Sequence, residues 1–489
     1  MRGVEHTELG ELGYMAITEW LLVSIGVILI GSAAGHALLY KRDPKAAWGW
    51  IAVCVIFPIF GPLLYFFFGI NRVKIRARQL EENLSVPRRH VPTLPIGVAL
   101  CSPEDLSVQY RDIARISDAV TLRPIVGGNS VEILHNGESA YPAMLKAIEE
   151  AERSVFLCTY IFETNQTGMH FIEALSRALE RGVTVKVLLD GFGEFYYSPR
   201  ASTVLRRFGI DTARFIPPSL IPPTLNVNLR NHRKILSVDS HIAFVGGMNI
   251  GDRHLASVPH NPRRVVDAHF RLCGPVVQQI EQVFRDDWYF CTGEKVDAGC
   301  LVSMPGGSAL CRAIADGPTE EHDKIAIILA GAVSAARQRI LIMTPYFLPS
   351  RELIGALQSA SLRGVHVVVV LPEKNNLLFV KWATSNMLWE LLLRGVRIYY
   401  QPPPFVHTKL FIVDDYYAQV GSANIDSRSL RLNFELAVEV FDKPFIEELA
   451  QHVYERIQDS CEITLDQVDS RPFLIRIRDA LAWLFYPYL

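Results

Sequence analysis

The sequence has no surplus of either charge: its 489 residues carry 49 Lys+Arg against 51 Asp+Glu, a formal net charge of −2. A dedicated nucleic-acid binder normally carries a basic excess, so no nucleic acid is expected as a global partner, and only a local basic cleft stays open. Paired cysteine motifs are also missing. The eight cysteines, at positions 54, 101, 158, 273, 291, 300, 311 and 461, form no CxxC and no CxxC…HxxxH pattern. This argues against a zinc site or disulfide framework and for free thiols in a reducing compartment. Charged residues make up only 20% of the chain against 49% hydrophobic, which excludes a disordered or highly charged scaffold and allows a large core.

Two stretches lack Asp, Glu, Lys and Arg altogether, residues 20–39 and 46–70, and each is long enough to cross a bilayer as a helix. Between them Lys41-Arg42-Asp43-Pro44-Lys45 leaves room only for a tight connection, and Trp20, Tyr40, Trp48 and Trp50 stand where an aromatic belt would. A cleaved signal peptide is disfavoured, because Glu5, Glu8 and Glu11 oppose Arg2 and a second apolar run follows at once. Pro58 and Gly61-Pro62 leave that second run open between a kinked span and a re-entrant segment. Arg72, Lys74, Arg76, Arg78, Arg88 and Arg89 outnumber the three basic residues of the connection, which predicts a multi-pass anchor with the bulk of the chain in the cytoplasm.

After a proline-bearing linker expected at residues 79–124, an internal repeat emerges. The apolar run at 154–162 is followed by a helical stretch and then the strand opened by Arg181-Gly182-Val183. Its counterpart is the run at 339–347 followed by Arg363-Gly364-Val365, with Gly182 and Gly364 offset by 182 positions. Strand, helix, strand with β-branched runs predicts βαβ units in each half. The expected organisation is a two-helix membrane hairpin (1–78), the linker, a duplicated α/β unit with halves at 125–300 and 301–465 related by a pseudo-two-fold, and an aromatic amphipathic tail (466–489).

Each half repeats one polar signature. His232-Arg-Lys234 with Asp239 precedes Gly246-Gly247-Met-Asn249, and His407-Thr-Lys409 with Asp414 precedes Gly421-Ser422-Ala-Asn424. A lone HxK is weak, but two copies with Asp at +7 and Gly-Gly/Ser-x-Asn at +14 are not. In extended backbone residues i and i+2 share a face, so each half presents an imidazole beside an ammonium. That pairing suits a phosphoryl centre: imidazole attacks phosphorus or shuttles a proton, and lysine neutralises the non-bridging oxygens. Gly247, Ser422, Asn249 and Asn424 are the expected phosphate-binding donors. Asp239 and Asp414 belong to the catalytic motif, although their odd spacing from the lysines and a following turn indicate a turn-holding role. Asp267 and Glu435, each set among apolar residues, are the candidates to orient the histidines.

These motifs resemble the phospholipase D superfamily, with its duplicated HxKxxxxD and GSxN, over roughly residues 125 to 465. The whole chain is similar to bacterial cardiolipin synthases of that superfamily. Thr344-Pro-Tyr-Phe347, Asp287-Trp288, Leu432-Asn-Phe-Glu435 and the aromatic C-terminus add to the resemblance. It implies a bacterial inner-membrane phosphatidyltransferase that condenses two phosphatidylglycerols into cardiolipin and glycerol without a metal or other cofactor. The implied partners are anionic phospholipids and the bilayer. One departure stands out, Gly247 in place of the consensus serine. A hydrolytic phospholipase D, or phosphatidylethanolamine as donor, would use the same motifs. Apolar residues Phe192, Phe195, Tyr196 and Tyr197, the runs at 216–223 and 377–382, and the helix-like 473–485 are candidates for contact with acyl chains and the membrane interface.

Overall fold

The computed structural model describes residues 5–41, 44–70, 100–220, 223–224, 229–258, 261, 263–297, 307–317 and 323–486, in two compact units, 1–79 and 80–489. In the first unit, α1 (Glu5–Tyr40) runs for 36 residues, and its Val23–Tyr40 portion is the one helix among the described residues long and apolar enough to cross a membrane. The second uncharged run is not a single span. It divides into α2 (Pro44–Ile56), a turn, α3 (Phe60–Leu64) and one π-turn, Tyr65–Gly69. Pro58 has no N–H to continue the ladder. At ~1.5 Å per residue the 13 residues of α2 reach ~20 Å, short of a ~30 Å hydrocarbon core. A Cβ on Gly61 would lie 2.3 Å from the Val53 carbonyl oxygen, so only glycine lets the chain fold back this closely. The hairpin is closed by a small core of Ala37, Cys54 and Tyr65, with His36 Nδ1 2.7 Å from the Tyr65 hydroxyl. The six basic residues on which orientation was argued lie outside the described residues.

The second unit is built on one continuous mixed sheet. The first half supplies β1 (Ile125–His135), α5 (Asn136–Glu149), β2 (Ser154–Thr159), α6 (Gln166–Glu180), β3 (Thr184–Asp190), β4 (Asp211–Phe215), β5 (Ile235–Val238), β6 (Ile242–Gly246), β7 (Ala268–Cys273) and α7 (Val276–Thr292). The second supplies β8 (Ala309–Asp316), α8 (Lys324–Ala335), β9 (Arg339–Met343), α9 (Arg351–Leu362), β10 (His366–Pro372), α10 (Leu378–Leu392), β11 (Arg397–Gln401), β12 (Leu410–Val413), β13 (Tyr417–Gly421), β14 (Glu435–Phe441) and α11 (Lys443–Gln458). The strand order is β11-β10-β9-β12-β13-β14-β8 followed by β1-β7-β6-β5-β2-β3-β4, with the short strand Cys461–Ile463 beyond β11. The second list reverses the first, so a pseudo-two-fold passes between β8 and β1. Helices cover both faces: along β2, Val155 and Leu157 enter one core, while Phe156 on the opposite face stacks on Phe284 of α7 at 5.1 Å. The parallel strands, buried on both sides, are correspondingly continuous in apolar residues, as in Val367-Val-Val-Val370.

One boundary differs from expectation. Residues 100–121 are not linker: Leu100–Cys101 pairs with β1, and α4 (Val108–Thr121) buries Tyr110, Ile113, Ala114 and Ser117 at helical spacing against α8. The C-terminal segment, expected as an amphipathic tail, forms the helix α12 (Phe473–Trp483). It packs on α10, and the Tyr486 hydroxyl donates to the Pro349 carbonyl at 3.0 Å.

Candidate active site

Both HxK segments sit in extended backbone just ahead of β5 and β12 rather than within the strands. Each is fixed by a backbone contact with the other half. His232 N–H donates to the Phe434 carbonyl (2.9 Å), and His407 N–H donates to the Val266 carbonyl (2.8 Å). Phe434 precedes Glu435, and Val266 precedes Asp267. The carboxylates are thereby exchanged between the halves: His407 Nδ1 lies 2.8 Å from Asp267 Oδ2, and His232 Nδ1 lies 3.3 Å from Glu435 Oε1. Both carboxylates are fully buried, while the imidazoles keep 23% and 17% exposure for His232 and His407, so the reactive edge faces outward. With Nδ1 turned to a carboxylate, Nε2 is the nitrogen left for a substrate.

The GSxN positions do a different job from the one expected. The Ser422 hydroxyl donates to Glu435 Oε2 at 2.6 Å and accepts from the Leu436 N–H at 3.0 Å. It holds the carboxylate behind His232 and is spent there, which corrects its assignment to phosphate. Gly247 occupies the matching place, where a Cβ would come within 2.5 Å of Asp267 Oδ2. The missing serine is therefore coupled to the shorter acid: Asp267 fills the space that a side chain at 247 would need, and Gly247 also stands behind the carboxylate.

Asp239 and Asp414 are corrected as well, from catalytic to positioning groups. Asp239 accepts the N–H groups of Glu152, Arg153 and Ser154 at 2.8–2.9 Å, and Asp414 accepts those of Arg337, Gln338 and Arg339. Each pins the end of its strand to the start of the neighbouring βαβ unit, and its own backbone is left-handed, at φ 54° and 55°. Asn249 Oδ1 accepts from Ile161 N–H at 3.0 Å, which leaves its amide nitrogen as the donating edge, whereas Asn424 Nδ2 donates to Ser429 Oγ at 3.1 Å.

Lys234 and Lys409 each donate to the carbonyl of their own histidine at 2.5 Å, and Lys409 Nζ lies 3.2 Å from His407 Nε2. Burial lowers the His232 pKa to about 4, with Lys234 adding to the effect, and drives His407 well below its ordinary value, helped by Lys409. Burial and the neighbouring Lys234 bring Lys409 down to about 7 against the pull of Asp267 and Glu435. Lys409 is thus a cation below that pH and loses its charge as pH rises through it. The kcat/KM of the enzyme should fall above about pH 7, by about tenfold per unit, while the kcat limb lies higher because a bound phosphodiester anion favours the ammonium. In Lys409→Arg the limb should disappear, since a guanidinium does not titrate there. A pH profile with no such limb in the parent enzyme would contradict the assignment.

Three residues escape sequence reasoning. Arg233, between His232 and Lys234, points the opposite way into the protein. There it pairs with Asp287 and donates to the backbone carbonyls of Glu435 (3.1 Å) and Asp316 (3.0 Å), bracing the two halves. Tyr160 and Tyr346 close on the histidines from either side, with ring centroids 4.3 Å from His232 and 6.4 Å from His407. The repeat itself was a signal for the tyrosines, as each lies within four residues after the strand that opens its βαβ unit, β2 or β9.

Two imidazoles backed by carboxylates, each beside a lysine and both facing one cleft across a pseudo-two-fold, define a phospholipase D-type phosphoryl-transfer centre. The fold agrees: phosphatidylserine synthase of Haemophilus influenzae superposes with a TM-score of 0.58 at 13% identity, over 85% of this chain and all of that one. The family profile described as "Cardiolipin synthase, PLD-like domain" matches residues 144–288 and 329–457, and the profile "Phospholipase_D-nuclease N-terminal" matches 20–69. "Cardiolipin synthase A" of Pseudomonas entomophila is 32% identical over 474 residues, 96% of this chain and 97% of the relative. "Major cardiolipin synthase ClsA" of Bacillus subtilis is 30% identical over 494 residues, 97% of this chain and 100% of the relative. The chain belongs to the phospholipase D-like cardiolipin synthase family, a membrane-associated family of phosphatidyltransferases.

Proposed function

We propose that the protein makes cardiolipin and glycerol from two phosphatidylglycerols through a phosphatidyl-histidine intermediate. The observation that carries the reading is the crossed pair of carboxylate-backed histidines beside two buried lysines, in a chain similar over nearly its whole length to cardiolipin synthases. His232 Nε2 attacks phosphorus, the P–O bond to the departing glycerol breaks, and His407 gives its proton to that oxygen. His407 then takes the proton of the head-group hydroxyl of a second phosphatidylglycerol, whose oxygen attacks phosphorus as the P–N bond to His232 breaks. Lys234, Lys409, Asn249 and Asn424 hold the non-bridging oxygens throughout. The entering phosphodiester supplies the negative charge that allows one imidazole to carry a proton in so buried a site. The long apolar helix α1 and the basic residues that follow the second apolar run favour a membrane anchor with the catalytic unit in the cytoplasm.

The test is product analysis after incubating the detergent-purified full chain with labelled phosphatidylglycerol. Cardiolipin with an equal amount of glycerol is expected. Phosphatidic acid as sole product would make the protein a hydrolase, and turnover only when phosphatidylethanolamine is added would change the donor.

A further inference from the structure

The two loops that follow β3 and β10 are related by the internal repeat. Adding the 182-residue offset to Phe195 and Tyr196 gives Leu377 and Leu378, and all four side chains are 44–58% exposed. Each loop leans on the aromatic ring beside its own catalytic histidine. The Tyr196 ring lies 6.0 Å from Tyr160, and Tyr346 Oη donates to Asn376 Oδ1 at 2.7 Å, directly before Leu377. The mouth of the site is therefore rimmed on both sides by apolar tips.

On the second-half side the apolar surface continues onto α12. Phe379, in the first turn of α10, contacts Phe485 at 5.5 Å, just past the end of that helix. Helix α12 carries apolar side chains on its outer face as well as on the inner one, where Ala482 and Trp483 join the core. Asp479 is buried, where Arg471 and Arg478 neutralise it, while Phe473, Leu474 and Leu481 are 74%, 77% and 55% exposed. Cations sit around these groups: Arg200 stacks 4.3 Å over the Phe195 ring, and Lys374 and Arg476 are exposed beside the second tip and on α12. Exposed apolar side chains in a basic frame match the boundary between acyl chains and anionic headgroups.

We propose that the catalytic unit docks directly on an anionic bilayer through the paired tips and α12, opening its site against the headgroups. The anchor unit then tethers the enzyme, and the catalytic unit takes its lipid from the surface it lies on, where the apolar contact keeps water from the reacting phosphorus. This rests on the reading of the substrate as a membrane phospholipid.

The experiment uses the full chain in phosphatidylglycerol-containing vesicles, with a fluorescent non-natural residue placed in turn at positions 195, 378 and 474, and at 108 and 327 as exposed controls elsewhere on the unit. Fluorescence at the first three should be quenched by doxyl-labelled lipid and shielded from iodide, with the controls behaving oppositely. Iodide quenching at all five overturns the proposal. Shielding at the first three without lipid quenching also overturns it and assigns the face to a second copy of the chain. The double variant Leu378→Glu, Leu474→Glu should lose about tenfold more rate on vesicles than on a monomeric short-chain phosphatidylglycerol; equal losses on both count against docking. Because quenching does not depend on product, a failed synthase assay with intact lipid quenching would reject the reaction and leave the docking surface standing.

Discussion

Replacement of His407 by alanine is expected to lower turnover by about 10⁴-fold or more, a loss on the scale of removing one member of a catalytic triad. His407 is held by Asp267 at 2.8 Å and carries the proton in both half-reactions, so no neighbour replaces it. His232→Ala should be equally inactive, yet the two variants should part when the intermediate is trapped. With labelled phosphatidylglycerol, His407→Ala should slowly accumulate label on His232, because the second step lacks its base, and His232→Ala should show none. Both variants should remain folded, since each imidazole is partly exposed. Label that survives in His232→Ala and vanishes in His407→Ala would exchange the two roles.

The second large effect falls on a residue that touches no substrate. Arg233→Met removes the cation beside the buried Asp287 and the donors on the carbonyls of Glu435 and Asp316. Removing one partner of a buried ion pair costs about 3–5 kcal/mol, which chemical denaturation of the purified chain should register as a lower midpoint. In the surviving folded fraction kcat should drop with little change in KM, because the backbone that carries Glu435, and with it the carboxylate behind His232, has lost its clamp. Adding Asp287→Asn to Arg233→Met should return part of the stability by removing the buried negative charge but not the kcat. If the double variant is no more stable than the single one, the ion pair is not the source of the loss.

These two expectations come from different depths of the sequence. His232 and His407 stand in a motif written twice, and local rules suffice to read it: alternation places Lys234 and Lys409 beside them in any extended backbone. Arg233 is invisible by the same rules, since nothing local says that the residue between His and Lys reaches a carboxylate 54 positions away. Asp239 and Asp414 carried two readings at once, a place in the motif and a place in a turn. The N–H groups they accept, from the start of another βαβ unit, make them positioning groups.

The anchor divides in the same way. Absence of charge over residues 20–39 specifies an apolar helix, because no charged side chain there needs water. Residues 46–70 share that composition, but Pro58 interrupts the hydrogen-bond ladder, and Gly61 allows a close return that composition does not report. Similarly, the apolar spacing in α4 was present at 110, 113 and 114. Only the surface of α8 made it a piece of the core rather than a linker.

The sequence by itself determined the apolar anchor, the duplicated α/β architecture and the chemistry of a two-histidine phosphoryl centre, because periodicity and motif spacing are local properties of a chain. The tertiary structure alone decided that Asp267 serves His407 and Glu435 serves His232, and that Ser422 and Gly247 stand behind those carboxylates. Those facts depend on backbone bonds between halves, such as the one from His407 to Val266. Which segments cross there is settled by closure of a single sheet about its pseudo-two-fold and by no residue's near neighbours.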